Sequence, residues 1–451
     1  MVSFIAVVKP PMTNRILQVL LVLSIALVLI FVVTPKIIGL GIRDATPSLI
    51  NLVPPESQGQ VSVTNTQFDI GWFRTAATID IDFTSPGLGE SLDIRLNFDI
   101  QHGPLFLTDE GLRIGLVYAN IDPRFSSSEL TQALTQIPFE LPSVEIALFA
   151  GLDQSLRVDL DVAPVNHNQN GINFIFTGID GDLTANADNS ASLNVSVGNI
   201  IVHNSNSQFS FNLAGIEIES NTAQMNDLLA PSAIFLSIPT ISSTRPFPFN
   251  LTNLSSNSRM QASTIPQAID IFQNIRVENI ESELPVQSLN WTMELNEVQN
   301  EVFRSYYEIL GTIQSQISNN NLNAAMAEAT AFGGDMALLL VQNSMVLNNI
   351  IEANVYGGDH SIDLSIDWAG IPDRVDLNEP QFGEIAAALA IQLKISLDQQ
   401  ATMSSQFAEL VGPYVKQGYL LVENGRILFS ASLQNGELTV NGEETPFDQF
   451  F

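Results

Sequence analysis

Apolar and polar residues alternate with a period of two along much of this chain, as expected of strands with one covered face and one wet face. Ile79, Ile81 and Phe83 open the pattern. Leu92, Ile94, Leu96, Phe98 and Ile100 then alternate with Asp93, Arg95, Asn97 and Asp99. It continues through Leu112, Ile114, Leu116 and Tyr118, then Leu156 to Val162, Leu193 to Val197, and Phe209 to Leu213. Turns rich in Gly, Asn, Asp and Pro separate these runs. The predicted fold is α+β and β-dominated: extended antiparallel sheets with a few packed helices, preceded by one transmembrane helix.

The period changes further along. Pro231, Pro239, Pro246 and Pro248 make 231–268 an expected irregular connection between a β-rich half over 36–230 and a second half over 269–451. Phe303, Tyr306, Leu310, Ile313 and Ile317 recur at three and four, which predicts a helix from Asn296. A turn at Ser318–Asn321 and a second apolar segment (Met326, Phe332, Met336, Leu339) complete a helical hairpin near 296–344. Strands return around 346–356 and 362–368. Ile385–Asp398 also reads as strand, because Leu389, Ile391, Leu393, Ile395 and Leu397 alternate with polar residues. A helix is expected near 399–415, followed by short hairpins at Asn424-Gly425, Asn435-Gly436 and Asn441-Gly442.

From Ile16 to Val33 only Gln18 and Ser24 interrupt an apolar run. As a helix it would reach about 27 Å, close to a bilayer's hydrocarbon thickness. No small-x-small cleavage site follows, so an uncleaved anchor over 16–35 is expected, with Ile16, Leu20, Leu23, Leu27, Ile30 and Val33 along it. Residues 1–15 then form a short cytoplasmic N-terminus. Lys9 and Arg15 before the run are nearly balanced by Lys36 and Arg43 after it, so bulk charge decides the orientation. The whole chain carries 48 acidic against 17 basic residues, a net charge of −31, and every acidic residue lies beyond the anchor. That part is placed outside the cytoplasm. Such a surface repels nucleic acid, which is excluded as a partner. The absence of cysteine removes disulfides, thiol nucleophiles and thiolate metal sites.

Motifs for chemistry are sparse. His102, His167, His203 and His360 lie far apart, without the spacing of a helical zinc site. His102 precedes Gly-Pro and suggests a turn; His360 follows a Gly-Asp turn and suggests a solvated side chain. No nucleophile elbow, P-loop or dinucleotide fingerprint occurs. Asp180, Asp182, Asn186 and Asp188 place oxygen ligands at alternate positions, a weak calcium candidate that lacks the loop glycine and the closing glutamate. A strand's polar face and its turn account for the same run. No catalytic residue, cofactor or metal is assigned.

Several strings together resemble the YdgA-like family of bacterial envelope proteins, whose shared domain has no assigned function. They are Gly71-Trp72-Phe73 opening a strand after the single anchor, the His102-Gly103-Pro104 step, and the C-terminal run from Ile427 to Asn435-Gly436 and Asn441-Gly442. The resemblance implies a single-pass inner-membrane protein of a Gram-negative bacterium, with its body in the periplasm, and supplies no catalytic residues. The leading expectation is a tethered binding or scaffold protein that handles lipid, another hydrophobic ligand or an envelope protein. The alternatives are an envelope hydrolase with an unrecognised site and a passive module that oligomerises with itself through helix 296–317.

Overall fold

The computed structural model describes residues 34–45, 61–84, 91–108, 111–125, 142–283, 285–305, 322–372 and 382–445. The expected anchor at 16–33 and most of the first arm of the expected helical hairpin lie outside these residues. Among the described residues no helix is long and apolar enough to cross a membrane. The described residues are β-dominated, with one 24-stranded antiparallel sheet, a separate two-stranded hairpin and a few helices.

The sheet starts with β1 (Val61–Ile70), β2 (Arg74–Thr84) and β3 (Ser91–His102). A separate hairpin of β4 (Leu105–Thr108) and β5 (Gly111–Ile114) follows before the sheet resumes at β6 (Val117–Phe125). Leu112 through Tyr118 is therefore not one strand, because the chain breaks at Gly115-Leu116 and enters a different ladder. The main ladder continues through β7 (Val144–Ala150), β8 (Leu156–Val162), β11 (Ile179–Ala185), β12 (Ala191–Val197) and β15 (Ile216–Thr222). A side branch consists of β9 (Val165–Gln169), β10 (Ile172–Phe176), β13 (Ile200–Asn204) and β14 (Phe209–Leu213).

The two branches meet on one edge of β16 (Ser232–Ser243), where β15 pairs with 232–237 and β14 with 241–243. Pro239 sits between the two partners, where its missing N–H costs no ladder bond. The stretch expected as an irregular connection is thus regular strand. Both β16 and β17 (Phe249–Ala262) carry the ladder through it, and Pro246 and Pro248 are confined to the intervening turn.

The ladder then proceeds through β18 (Ala268–Ser282), β19 (Val286–Gln299), β20 (Met345–Val355), β21 (Gly358–Trp368), β22 (Leu389–Asp398) and β24 (Arg426–Gln434). On the far edge of β24 lie β23 (Leu421–Glu423) and β25 (Glu437–Val440), with β26 (Glu443–Glu444) beyond. Each of the three Asn-Gly pairs closes one of these hairpins. Asn435 and Gly436, for example, have φ of 53° and 80°, the paired positive values that a tight hairpin turn requires.

Helices described along their full length are α1 (Thr34–Ala45), α2 (Leu322–Gln342), α3 (Phe382–Ala388), α4 (Gln399–Met403) and α5 (Ala408–Lys416). Three expectations need correction here. Strand β19 holds the chain to Gln299, so helix begins at 300 rather than 296. Phe382–Ala388 is helical because three consecutive alanines favour it, and the strand starts only at Leu389. The helix expected near 399–415 is also broken in two, at Ser404–Phe407.

Some of the buried side chains pack into two small clusters. Ala77, Ile100 and Ala119 form one near the N-terminal edge, flanked by Phe68 and Phe98. Leu229, Ile269, Val298 and Val302 form the other, against which Met336 and Leu339 of α2 pack.

Candidate functional site

Directly paired residues of neighbouring strands project to the same face of a sheet, so the register identifies what each face presents. One row starts with Phe68, Ala77, Phe98, Ile121, Ile146 and Leu160. It continues through Gly181, Val195, Ile218 and Leu236. After Ser256 come Ile275, Trp291, Ile351, Ile362, Ile395 and Phe429. Only Gly181 and Ser256 break an apolar file that runs from β1 to β24. At about 4.8 Å per strand its contour length is on the order of 75 Å.

The neighbouring row on the opposite face begins Asp69, Ala76, Asp99, Asn120, Ala147 and Asp159. Asp182, Asn194 and Glu219 then lead to Phe235, Asn257, Asn274, Thr292 and Ile350. The sheet is two-faced along its whole contour. A second layer of helix or sheet would normally bury such an apolar face. Here, between Ile146 and Phe429, Gly181 is the only buried member of the row.

The α4–α5 end of this face carries a cleft of about 330 Å³ between β20–β21 and the two helices, lined by Ile351, Ala353, Ile362, Leu397, Phe407 and Val411. Tyr356 meets Phe407 edge-on at 6.1 Å beside it. His360, expected to be solvated, also lines this cleft and is half-buried, with Nε2 3.0 Å from the Val355 carbonyl.

His102 is not a turn residue. It ends β3, 5 % exposed, and joins three segments. Its Nδ1 lies 3.2 Å from the Trp72 carbonyl, which can only accept, so Nδ1 carries the proton. Nε2 then accepts from the buried Thr75 hydroxyl at 2.9 Å. Gly39 of α1 lies over the ring, and a Cβ at that position would collide with it. Lys36 of the same helix donates to the carbonyls of Ile70 and Gly71, each at 3.3 Å. Burial pulls the His102 pKa below its ordinary value, assisted by the Lys36 charge and opposed by the Trp72 and Pro35 carbonyls. Gly103 packs so closely on the Gly115 carbonyl that no side chain fits there. The His102-Gly103-Pro104 step therefore docks α1 to the sheet. Its partners Gly39 and Thr75 gave no signal in the sequence, since neither belongs to a recognisable string.

The calcium candidates separate into strand and turn. Asp180 and Asp182 stand on β11, where Asn194 donates to Asp182 at 3.3 Å. Asn186 and Asp188 instead bind Ser190 within the β11–β12 turn, Asn186 donating to its hydroxyl and Asp188 accepting from its amide and hydroxyl. Among the described residues no group of three His, Cys, Asp or Glu side chains could hold a metal ion. The histidines also remain apart. His167 and His203 pair with adjacent residues of β10, Phe174 and Asn173, and so point to opposite faces.

The polar face is most acidic over the N-terminal strands. A concavity of about 700 Å³ is bordered by Asp122, Glu145, Asp159, Asp161, Asp180 and Asp182, with Arg157 paired to Asp159 at 2.7 Å. Asp82 and Asp93 stand directly opposite one another, and burial, then the charges of Asp93 and Asp80, raise the Asp82 carboxyl. This face repels anions, so the apolar face is the better candidate for binding.

No curated protein and no solved structure matches this chain. The family described as "Bacterial protein of unknown function (DUF945)" matches residues 14–448. That match takes in the described sheet from end to end, and the chain belongs to this family.

Proposed function

We propose that this is a membrane-anchored, periplasm-facing protein of the bacterial envelope, YdgA-like in the finer sense, that binds acyl chains or another hydrophobic ligand along one face of its sheet. The observation that carries this reading is the apolar file from Phe68 to Phe429, whose members beyond Ile146, Gly181 excepted, remain partly open to solvent. Apolar surface in water is unfavourable by about 25 cal/mol per Å², and an exposed patch beyond a few hundred Å² ordinarily marks a binding surface. The cleft beside Ile351 and Ile362 lies within the size range of small-molecule sites. The acidic opposite face disfavours anionic headgroups and leaves the ligand's apolar part as the recognised portion. The run at Ile16–Val33 supports a tether at the N-terminal edge of the sheet.

Photo-crosslinking in native membranes tests the reading, because the two faces offer matched positions. Leu236 and Ile351 lie in the apolar file; Phe235 and Ile350, at 39 % and 38 % exposed, lie in the polar one. A photoreactive residue at Leu236 or Ile351 should yield acyl-lipid adducts by mass spectrometry, and one at Phe235 or Ile350 should not. Equal adducts on both faces, or none on the file, would overturn the proposal.

A further inference from the structure

The hairpin β4–β5 has an unusual distribution of apolar residues. Its register pairs Leu105 with Ile114 and Leu107 with Leu112, so these four aliphatic side chains share one face. They are 44 %, 61 %, 82 % and 66 % exposed in that order. The other face is anchored by Phe106, 2 % exposed, with its ring 6.2 Å from Tyr118 and 6.3 Å from Phe149. The hairpin is therefore fixed to the body by one face while the other presents only aliphatic groups. Two-stranded hairpins do not hold such a face to water without a compensating surface.

Its neighbours extend the same character. The hairpin starts just after His102-Gly103-Pro104, and His102 binds the Trp72 carbonyl through its ring and the Phe73 carbonyl through its amide. Trp72 and Phe73 are 49 % and 52 % exposed. Gly39 of α1 sits over the same imidazole, and Ile37 and Leu40 of that helix are 64 % and 41 % exposed. The decisive point is where the chain comes from. The run Ile16–Val33, of hydrocarbon-spanning length, ends at the residue before α1.

We infer that the aliphatic face of β4–β5, together with Trp72, Phe73 and the outer side of α1, rests in the lipid interface and seats the N-terminal end of the sheet on the bilayer. Aromatic rings prefer the headgroup level, and aliphatic side chains prefer the acyl boundary just beneath. The hairpin lies flat, because Asp109 and Glu110 at the link between its strands oppose entry tip-first. This seating would bring the Phe68 end of the apolar file toward the bilayer. The inference rests on the tether proposed above and adds a contact that the tether alone does not require.

The cysteine-free chain makes the test direct. The full-length protein carrying Leu107→Cys or Phe247→Cys, each with an environment-sensitive fluorophore, is reconstituted in phosphatidylcholine vesicles doped with doxyl-labelled lipid. Phe247 is 77 % exposed in the β16–β17 turn, and neither substitution removes a buried group. Doxyl lipid should quench the label at 107 several-fold more than the label at 247, and aqueous iodide should show the reverse order. Equal iodide access at both positions in protein that resists carbonate extraction would overturn the seating and leave the tether intact. Release of the protein by carbonate would remove the tether, and this inference with it. Oxidative cross-linking between two Leu107→Cys chains in dilute vesicles would assign the patch to a second copy instead, and would also overturn it.

Discussion

His102 shows how much one buried imidazole can organise. Its two nitrogens are committed to Thr75 and Trp72, and its ring is the bearing surface for Gly39, so one side chain ties α1 to β2 and β3. Because burial lowers its pKa, the folded protein disfavours the charged form that an unfolded histidine adopts below about 6.5. Between the two pKa values the unfolded chain binds more protons, so this contribution to stability is complete above about pH 6.5 and declines as pH falls below it. Melting temperatures of the wild type and of His102→Asn, measured from about pH 7.5 to about pH 5, should diverge at high pH and converge at low pH. A difference that does not vary with pH would contradict this role. The string His102-Gly103-Pro104 was legible as a motif; its role was not, since the groups that meet the ring come from segments far away in sequence.

At the level of elements, strand periodicity was the most readable feature, and the errors cluster where local preference competed with pairing. Asn296–Gln299 reads as the start of a helix, yet β18 supplies a partner for Val298 and Gln299 and holds them extended. Proline in 231–268 suggests irregularity, but Pro239 occupies the one place on β16 where the edge partner changes. Leu112 and Ile114 alternate correctly, although periodicity cannot state that their shared face remains in water. Short helices depend more on their ends than on their length. Asp398 caps α4 by accepting from the Ala401 amide at 2.8 Å. Asp398→Ala should therefore cost about 1 kcal/mol, read as a lower denaturant midpoint, with faster amide exchange concentrated in α4. Unchanged exchange at Ala401 would show that the cap does not hold this helix.

At the scale of the whole molecule, the unusual property is a sheet that grows strand by strand, with little of its apolar face covered by the described helices. Two small clusters of buried residues lie near α1 and α2, other buried residues such as Leu213, Val277 and Ile427 are scattered along the sheet, and most members of the apolar file between the clusters are only partly buried. A natively folded protein of this design should bind an apolar reporter dye at neutral pH, without the loss of near-ultraviolet dichroism that accompanies a molten state. Leu364→Glu and Leu393→Glu, paired neighbours on the same face, should each lower that dye binding several-fold; equal binding by both variants and wild type would mean that the dye reports another surface. The amino-acid sequence by itself determined the strands, the Asn-Gly turns, the acidity and the apolar run at 16–33, because each depends on residues close together in the chain. Only the tertiary structure decided that the greasy sides of successive strands align into one file and that the aliphatic side of β4–β5 faces outward. It also decided that Gly39 meets His102. Register and docking are set by contacts between distant segments, where a shift of one residue would exchange the two faces of a strand.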